Sequence, residues 1–193
     1  MRLYLARHGE STGNAQRLIF GQRDYPLTEK GRAQALELGR SLEGASIARV
    51  VSSPLSRALE TARLACPNVP VETDARLMEQ SMGRWEGMTE AEVLADDSAL
   101  WRAMLADWTR DQAAPPEGES YSALRQRVSQ ALNEIISRGA DTLIVAHAGV
   151  LAALYNLLLQ EPREKCAHER FPCAQAIAIE VLKDGAAGVA PVN

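Results

Sequence analysis

The sequence predicts an α/β fold: a three-layer α/β/α sandwich on a mostly parallel sheet, with a small helical cap insertion. Three observations predict it. Apolar runs of strand length alternate with stretches whose apolar residues recur at helical spacing. Two of those runs, RLYLA and TLIVA, are apolar almost throughout, as strands covered on both faces are. The 193 residues, 46% of them hydrophobic, suit one domain spanning 1–193 with a sizeable core.

The elements follow in order. Residues 2–6 (RLYLA) read as a short buried strand. Thr28 is a candidate N-cap for a helix bearing Ala35, Leu38 and Leu42 on one face. Residues 49–52 (RVVS) form a second strand. Ser53-Pro54 then reads as a cap with proline at the first helical position, and Leu55, Ala58 or Leu59, and Ala62 face inward. VPVET at 69–73 is a third candidate strand, and residues 89–108 read as one or two helices with irregular breaks. APPEGES at 114–120 is a surface turn, too short to link two domains. Tyr121, Leu124, Val128, Leu132 and Ile135 hold a 3.6-residue period, and Gly139 is a fitting stop. TLIVA at 142–146 is a buried strand, and residues 149–159 are an apolar helix ended before Pro162. QAIAIEV at 175–181 is a last strong strand. The tail GAAGVAPVN adds an edge strand or frays.

Composition excludes several function classes. A net charge of −4 gives no field that would recruit nucleic acid. No run approaches the roughly 20 apolar residues of a membrane span. Arg7 interrupts the start before a signal-like stretch forms. Cys66, Cys166 and Cys173 are too few and too scattered for a disulfide framework or a C-x-x-C metal site. The expectation is a cytoplasmic protein. Its positive charge is arginine-rich, with lysine only at positions 30, 165 and 183. The default reading assigns most of that excess to codon choice in a GC-rich genome, although the guanidinium fork also suits phosphate.

In open α/β sheets, ligands bind beyond the carboxyl ends of the strands. The first strand here ends in Arg7-His8-Gly9, the second leads to Arg57 through SSPLSR, and TLIVA ends in His147-Ala148-Gly149. Two arginines and two histidines at one rim make a pocket for a doubly charged anion. The helix start at Ala148 adds backbone N–H donors. Taken singly each motif is weak: an arginine is by default solvated, and a histidine after a buried strand is by default a satisfied core residue. The coincidence of three strand ends carries the argument.

At this point the chain resembles the histidine phosphatase superfamily, the phosphoglycerate-mutase-like phosphatases. LYLARHGES, GQRDYPLTEKG, SSPLSRALETA, LMEQSMGRWEG, PPEGESYSALRQRV and VAHAGVL match its motifs in order over nearly the whole chain. The resemblance implies that His8 is the nucleophile and that Arg7, Arg57 and His147 hold phosphate oxygens. It implies that Glu79 protonates the leaving oxygen and that Asn14 approaches the phosphate; Ala148 belongs to the same phosphate site. On residue type alone Glu10 and Glu86 compete for the acid role, and only the resemblance sets Glu79 ahead. Within the superfamily, Glu79-x-x-x-Gly83-x-Trp85-Glu86, then Asp107-Trp108, then P-x-G-E-S is similar to α-ribazole phosphatases and broad-specificity phosphatases.

The implied activity is hydrolysis of a small phosphorylated metabolite, with no cofactor and no metal. His8 and His147 with carboxylates could ligate zinc, but two adjacent arginines would repel a cation. Mutases of the family carry a longer cap segment; the short stretch 87–117 favours transfer to water. A non-catalytic phosphate-binding module is a third reading, and such a module has no need of an acid. Trp85 is expected in packing, and Trp101, Met104 and Trp108 on the apolar face of the cap. Arg23, Arg102 and Arg110 are expected in solvent, and His168 outside the site.

Overall fold

In the computed structural model, which describes residues 1–162, 170–182 and 186–192, six strands form one sheet in the order β4-β3-β6-β1-β7-β8. These are β1 (Arg2–Arg7), β3 (Arg49–Ser52), β4 (Val71–Thr73), β6 (Thr142–Ala146), β7 (Ala176–Val181) and β8 (Ala187–Ala190). The first four run parallel, while β7 pairs antiparallel with β1 and β8 antiparallel with β7. The tail therefore does supply an edge strand.

Strand alternation divides the core between the two faces. Leu3, Leu5, Ile144, Ala146 and Ile179 pack with α5 (Tyr121–Ser137) and α6 (Ala148–Leu158). Tyr4, Ala6, Leu143, Val145 and Ala178 pack on the other face with residues of α2 (Glu29–Ser41) and α3 (Ser56–Ala65). All five residues of β6 are buried, which explains its unbroken apolar run. On α5, Tyr121, Leu124, Val128, Leu132 and Ile135 are buried as their period requires, and Gly139 follows the last turn at φ +64°. Each such buried aliphatic side chain contributes about 1.5–3 kcal/mol relative to exposure.

One local expectation fails. The α3 N-cap is Leu55, which makes no side-chain cap bond, and Pro54 lies outside the helix. The Ser53 hydroxyl, expected to cap, is engaged elsewhere. Sequence periodicity also gives no sign of the one-turn helix α1 (Thr12–Ala15) or of the two-stranded sheet between β2 (Leu18–Ile19) and β5 (Met88–Thr89). Helix α4 (Glu90–Ala106) is broken at Asp97, where φ is −152° and ψ 86°, so residues 89–108 do hold two helical pieces. A third apolar cluster of Trp85, Val93, Trp101, Met104 and Ala113 binds α4 to the body. No helix among the described residues is long and apolar enough to cross a membrane.

Candidate active site

Parallel register brings the site together. Arg7 of β1 pairs with Ala146 of β6, and Ser52 of β3 with Val145. The next residues, His8, His147 and Ser53, therefore emerge side by side at the carboxyl edge. The backbone continues the ladder there: the N–H of His8 donates to the Ala146 carbonyl at 3.0 Å, and that of Ser53 to Val145 at 3.0 Å. A Cβ on Gly9 would collide with the Gly31 carbonyl, so glycine is what lets α2 close against the loop. The Gly9 N–H donates to Thr61 Oγ1 at 3.0 Å, and that hydroxyl donates to the Arg57 carbonyl, lashing the His8 loop to α3.

His8 is 3% exposed, and its Nδ1 donates to the Gly9 carbonyl at 2.7 Å. A carbonyl can only accept, so Nδ1 carries the proton and Nε2 the lone pair. Burial, then the Arg57 and Arg7 cations, hold its pKa well below the ordinary histidine value. The ring is therefore a neutral nitrogen base at neutral pH. His147, also buried, is held low by burial first, then by Arg57, His8 and Arg7.

Arg57 is 1% exposed. Its Nη2 donates to the Gly21 carbonyl at 2.6 Å and its Nη1 to that of Arg23 at 3.1 Å, and its guanidinium lies over the Phe20 ring. Burial lowers its pKa, with Glu79, Asp24 and Glu86 opposing; a guanidinium stays charged regardless. Arg7 Nη1 donates to the Phe171 carbonyl at 3.2 Å. Beyond these contacts, Arg7 Nε, Arg57 Nε and His147 Nδ1 are buried without a partner. Buried polar atoms are normally satisfied. Three unsatisfied nitrogens, on two cations and an imidazole that line one cavity, can hold a phosphate-like anion.

Glu79 faces this group. Its carboxylate accepts from the Gln80 N–H at 2.9 Å and from the Gly149 N–H, in the first turn of α6, at 3.1 Å. A Cβ on Gly149 would sit 2.7 Å from Glu79 Oε1, so a side chain there would push the carboxylate from this position. Glu79 is gripped from behind: its own carbonyl accepts from Arg127 Nη2 at 3.0 Å and Gln22 Nε2 at 3.2 Å. Arg127 is in turn held by a two-bond pair with Glu119, both contacts 2.7 Å. Asn14 uses its amide oxygen as acceptor for the Ser11 N–H at 3.0 Å, which leaves the NH₂ group as the end free to donate.

A cavity of about 310 Å³ covers the group. Its lining is partly polar, with Arg7, His8, Asn14, Arg57, Glu79 and His147, and partly apolar, with Ala148, Phe20, Met82, Trp101, Met104, Leu105 and Trp108 among its residues. The chain matches the family model of the histidine phosphatase superfamily, branch 1, over residues 3–190. It belongs to that superfamily.

An adenosylcobalamin/α-ribazole phosphatase of Salmonella typhimurium is 37% identical over 93% of this chain and 91% of its own length. A Salmonella arizonae protein named as a phosphoglycerate mutase, GpmB, is 36% identical over 84% of this chain and 76% of its own length. The α-ribazole phosphatase of Shigella flexneri superposes with a TM-score of 0.88 at 32% identity, covering 100% of this chain and 96% of that one. These relatives act, by name, on small phosphorylated compounds.

In this histidine phosphatase every residue that the sequence pointed to for the site lines the one cavity. The competing acids do not. Glu10 pairs with Lys30 and Thr28, whose hydrogen bonds lower its pKa. Both oxygens of Glu86 accept from backbone, from the N–H groups of Gly21, Gln22, Arg23 and Met82. That clamp shapes the loop whose carbonyls hold Arg57. Trp85 is fully buried and donates to Asp96 at 2.9 Å, as a packing residue. Arg23, Arg102 and Arg110 stay outside the lining, and Arg110 pairs with Asp107. His168 lies outside the described residues. Among the described residues, no group of three His, Cys, Asp or Glu side chains could hold a metal ion. Residue type alone gave no reason to select Ser53, Thr61, Gln22 or Arg127; their partners His147, Gly9, Glu79 and Glu79 lie 94, 52, 57 and 48 positions away in sequence.

Proposed function

We propose that the chain hydrolyses phosphate monoesters through a phosphohistidine on His8, without a metal. The observation that carries this is the trio of buried, unpartnered nitrogens of Arg7, Arg57 and His147 beside an imidazole whose tautomer leaves Nε2 unprotonated. In the first half-reaction Nε2 attacks phosphorus in line and the P–O bond to the alcohol breaks. Glu79 supplies the proton that the departing oxygen takes. In the second, the Glu79 carboxylate takes a proton from water, whose oxygen attacks phosphorus; the P–N bond breaks and its electron pair returns to Nε2. The arginines and His147 stabilise the transferring oxygens in both halves, which is most of what phosphoryl transfer demands.

Residues 87–117 act as the cap that selects the alcohol. Phosphoglycerate needs a cation for its carboxylate, yet among the described residues the lining holds no arginine or lysine beyond Arg7 and Arg57. Water is therefore the acceptor favoured over a second phosphoglycerate-like substrate. The apolar part of the lining suits an alcohol bearing an apolar ring, and the Salmonella relative makes α-ribazole phosphate the first natural ester to try.

The test is hydrolysis of p-nitrophenyl phosphate in excess chelator, wild type beside His8→Ala, with alkaline quenching to trap the phosphoenzyme. Chelator-resistant turnover, with phosphate on His8 lost in the variant, is the expected result. Loss of activity to chelator would move the assignment to a metal site. Phosphate-dependent thermal stabilisation without turnover would make the protein a binder.

A further inference from the structure

The Ser53 hydroxyl lies 2.9 Å from His147 Nε2, and both residues are buried, Ser53 at 0% and His147 at 1% exposure. The same hydroxyl oxygen accepts the Leu55 N–H at 3.3 Å. A backbone N–H can only donate, so one lone pair of Oγ is already used and its proton needs an acceptor. Among the described contacts of that hydroxyl, His147 Nε2 is the group able to accept it. A donating Ser53 requires Nε2 to be the bare nitrogen, which places the ring proton on Nδ1. Nδ1 is the nitrogen that is buried without a partner, on a residue lining the cavity. The reverse tautomer would leave the Ser53 proton without an acceptor and would turn a lone pair of His147 toward a bound anion.

We propose that Ser53 is a positioning residue: its hydroxyl sets the His147 tautomer, so that a neutral imidazole presents Nδ1–H to the phosphate oxygens. The role for a bound phosphate rests on the reading given above; the tautomer does not. The two active-site histidines are thereby set in the same protonation pattern by different means. His8 has Nδ1–H fixed by the Gly9 carbonyl, which frees Nε2 to attack. His147 has Nδ1–H fixed by a hydroxyl at its far nitrogen, which frees Nδ1–H to donate. This accounts for the position of Ser53 at the β3 terminus: its backbone N–H extends the ladder to Val145 while its side chain meets the ring.

The experiment is long-range ¹H–¹⁵N correlation of the histidine rings in the full chain near neutral pH, with and without inorganic phosphate. The wild-type His147 should show a protonated Nδ1 and an imine-type Nε2. An Nε2–H tautomer or an imidazolium in the free wild type overturns the proposal, whatever any variant does. Ser53→Ala should mix or invert the His147 tautomer while leaving His8 as it is, and should weaken inorganic phosphate as a competitive inhibitor. Ser53→Thr, which keeps the hydroxyl, should restore both. An unchanged tautomer and unchanged phosphate inhibition in Ser53→Ala would reduce Ser53 to packing. A wild type with the expected tautomer but no phosphatase activity would leave the tautomer argument standing and remove the function proposed above.

Discussion

The imidazole rings of His8 and His147 stand 5.1 Å apart, centre to centre, tilted by 58° at the ends of two adjacent parallel strands. Both are buried beside Arg57 and Arg7, and the pKa of each is held low by these surroundings. The fixed positive charge of the site therefore resides on guanidinium groups, and the imidazoles are left free for proton-specific work. One offers a lone pair and the other an N–H.

That arrangement makes stability depend on pH with a definite sign. The ordinary histidine value is 6.5, and both native values lie well below it. Between the two values the unfolded chain binds more protons than the native one, so stability rises with pH and is lost on acidification below 6.5. In phosphate-free buffer, the melting temperature should fall as pH drops from about 6.5 to about 5, a window above the ordinary carboxylate range. His147→Asn should flatten that slope, whatever its effect on the absolute melting temperature. A wild-type melting temperature that stays level through the window would mean the rings are not held neutral.

Glu79 is proposed to serve both half-reactions, and the two can be separated by the leaving group. Nitrophenolate departs without protonation, whereas an alkoxide does not. Glu79→Gln should therefore give a burst of nitrophenolate stoichiometric with enzyme, followed by slow turnover, because the water attack has lost its base. With an alkyl phosphate it should lose about 10²–10⁴-fold in the first step as well. Arg127→Met, which removes a donor to the Glu79 carbonyl, should show the same leaving-group bias more weakly. Rapid-quench measurement of both esters checks this; equal losses on both esters would count against an acid role.

The strand-end part of the cavity's polar lining was legible in the sequence, because strand ends are placed by periodicity, whereas Glu79 and Asn14 were implied only by the family resemblance. Arg7, His8 and His147 follow apolar runs whose parallel register could be expected, and Arg57 sits in the first turn of the next helix. What could not be read is what holds those residues. Glu86 looks like any acid near a tryptophan, yet it gathers backbone N–H groups up to 65 positions away. Ser53 before proline looks like a helix cap, and the structure gives its hydroxyl to a histidine 94 positions on. The β2–β5 pair is two residues per strand and so leaves no period to find. Local pattern places elements; the partners of polar side chains are settled by tertiary contacts that no local pattern encodes.

The tryptophans should separate fold from specificity. Trp85 is wholly buried and meets Trp101 edge-on, rings 5.8 Å apart. Trp85→Ala should cost about 3–5 kcal/mol of stability through the cavity it leaves. Trp108 is only partly buried, stands edge-on to Tyr121 and lines the candidate active-site cavity. Trp108→Ala should raise KM for esters with an apolar ring far more than for a small alkyl phosphate. Denaturant melts and KM ratios on the two ester classes check the pair; a uniform KM change in Trp108→Ala would deny it a part in alcohol selection.

Arg57→Lys tests whether the site needs a charge or a fork. The guanidinium spends Nη1 and Nη2 on the carbonyls of Arg23 and Gly21 and keeps Nε unpartnered. A lysine ammonium is one compact point charge on a flexible stem, and it cannot hold both carbonyls and still reach a phosphate oxygen in fixed geometry. It also loses the planar contact over Phe20. R57K should therefore lower kcat/KM by about 10²–10³-fold, the range seen when one preorganised donor to a developing charge is removed. Inorganic phosphate should inhibit it less well, because the ground-state anion meets the same loss. If charge alone sufficed, R57K would hydrolyse p-nitrophenyl phosphate close to the wild-type rate, and the buried guanidinium would owe its place to the loop carbonyls rather than to the substrate.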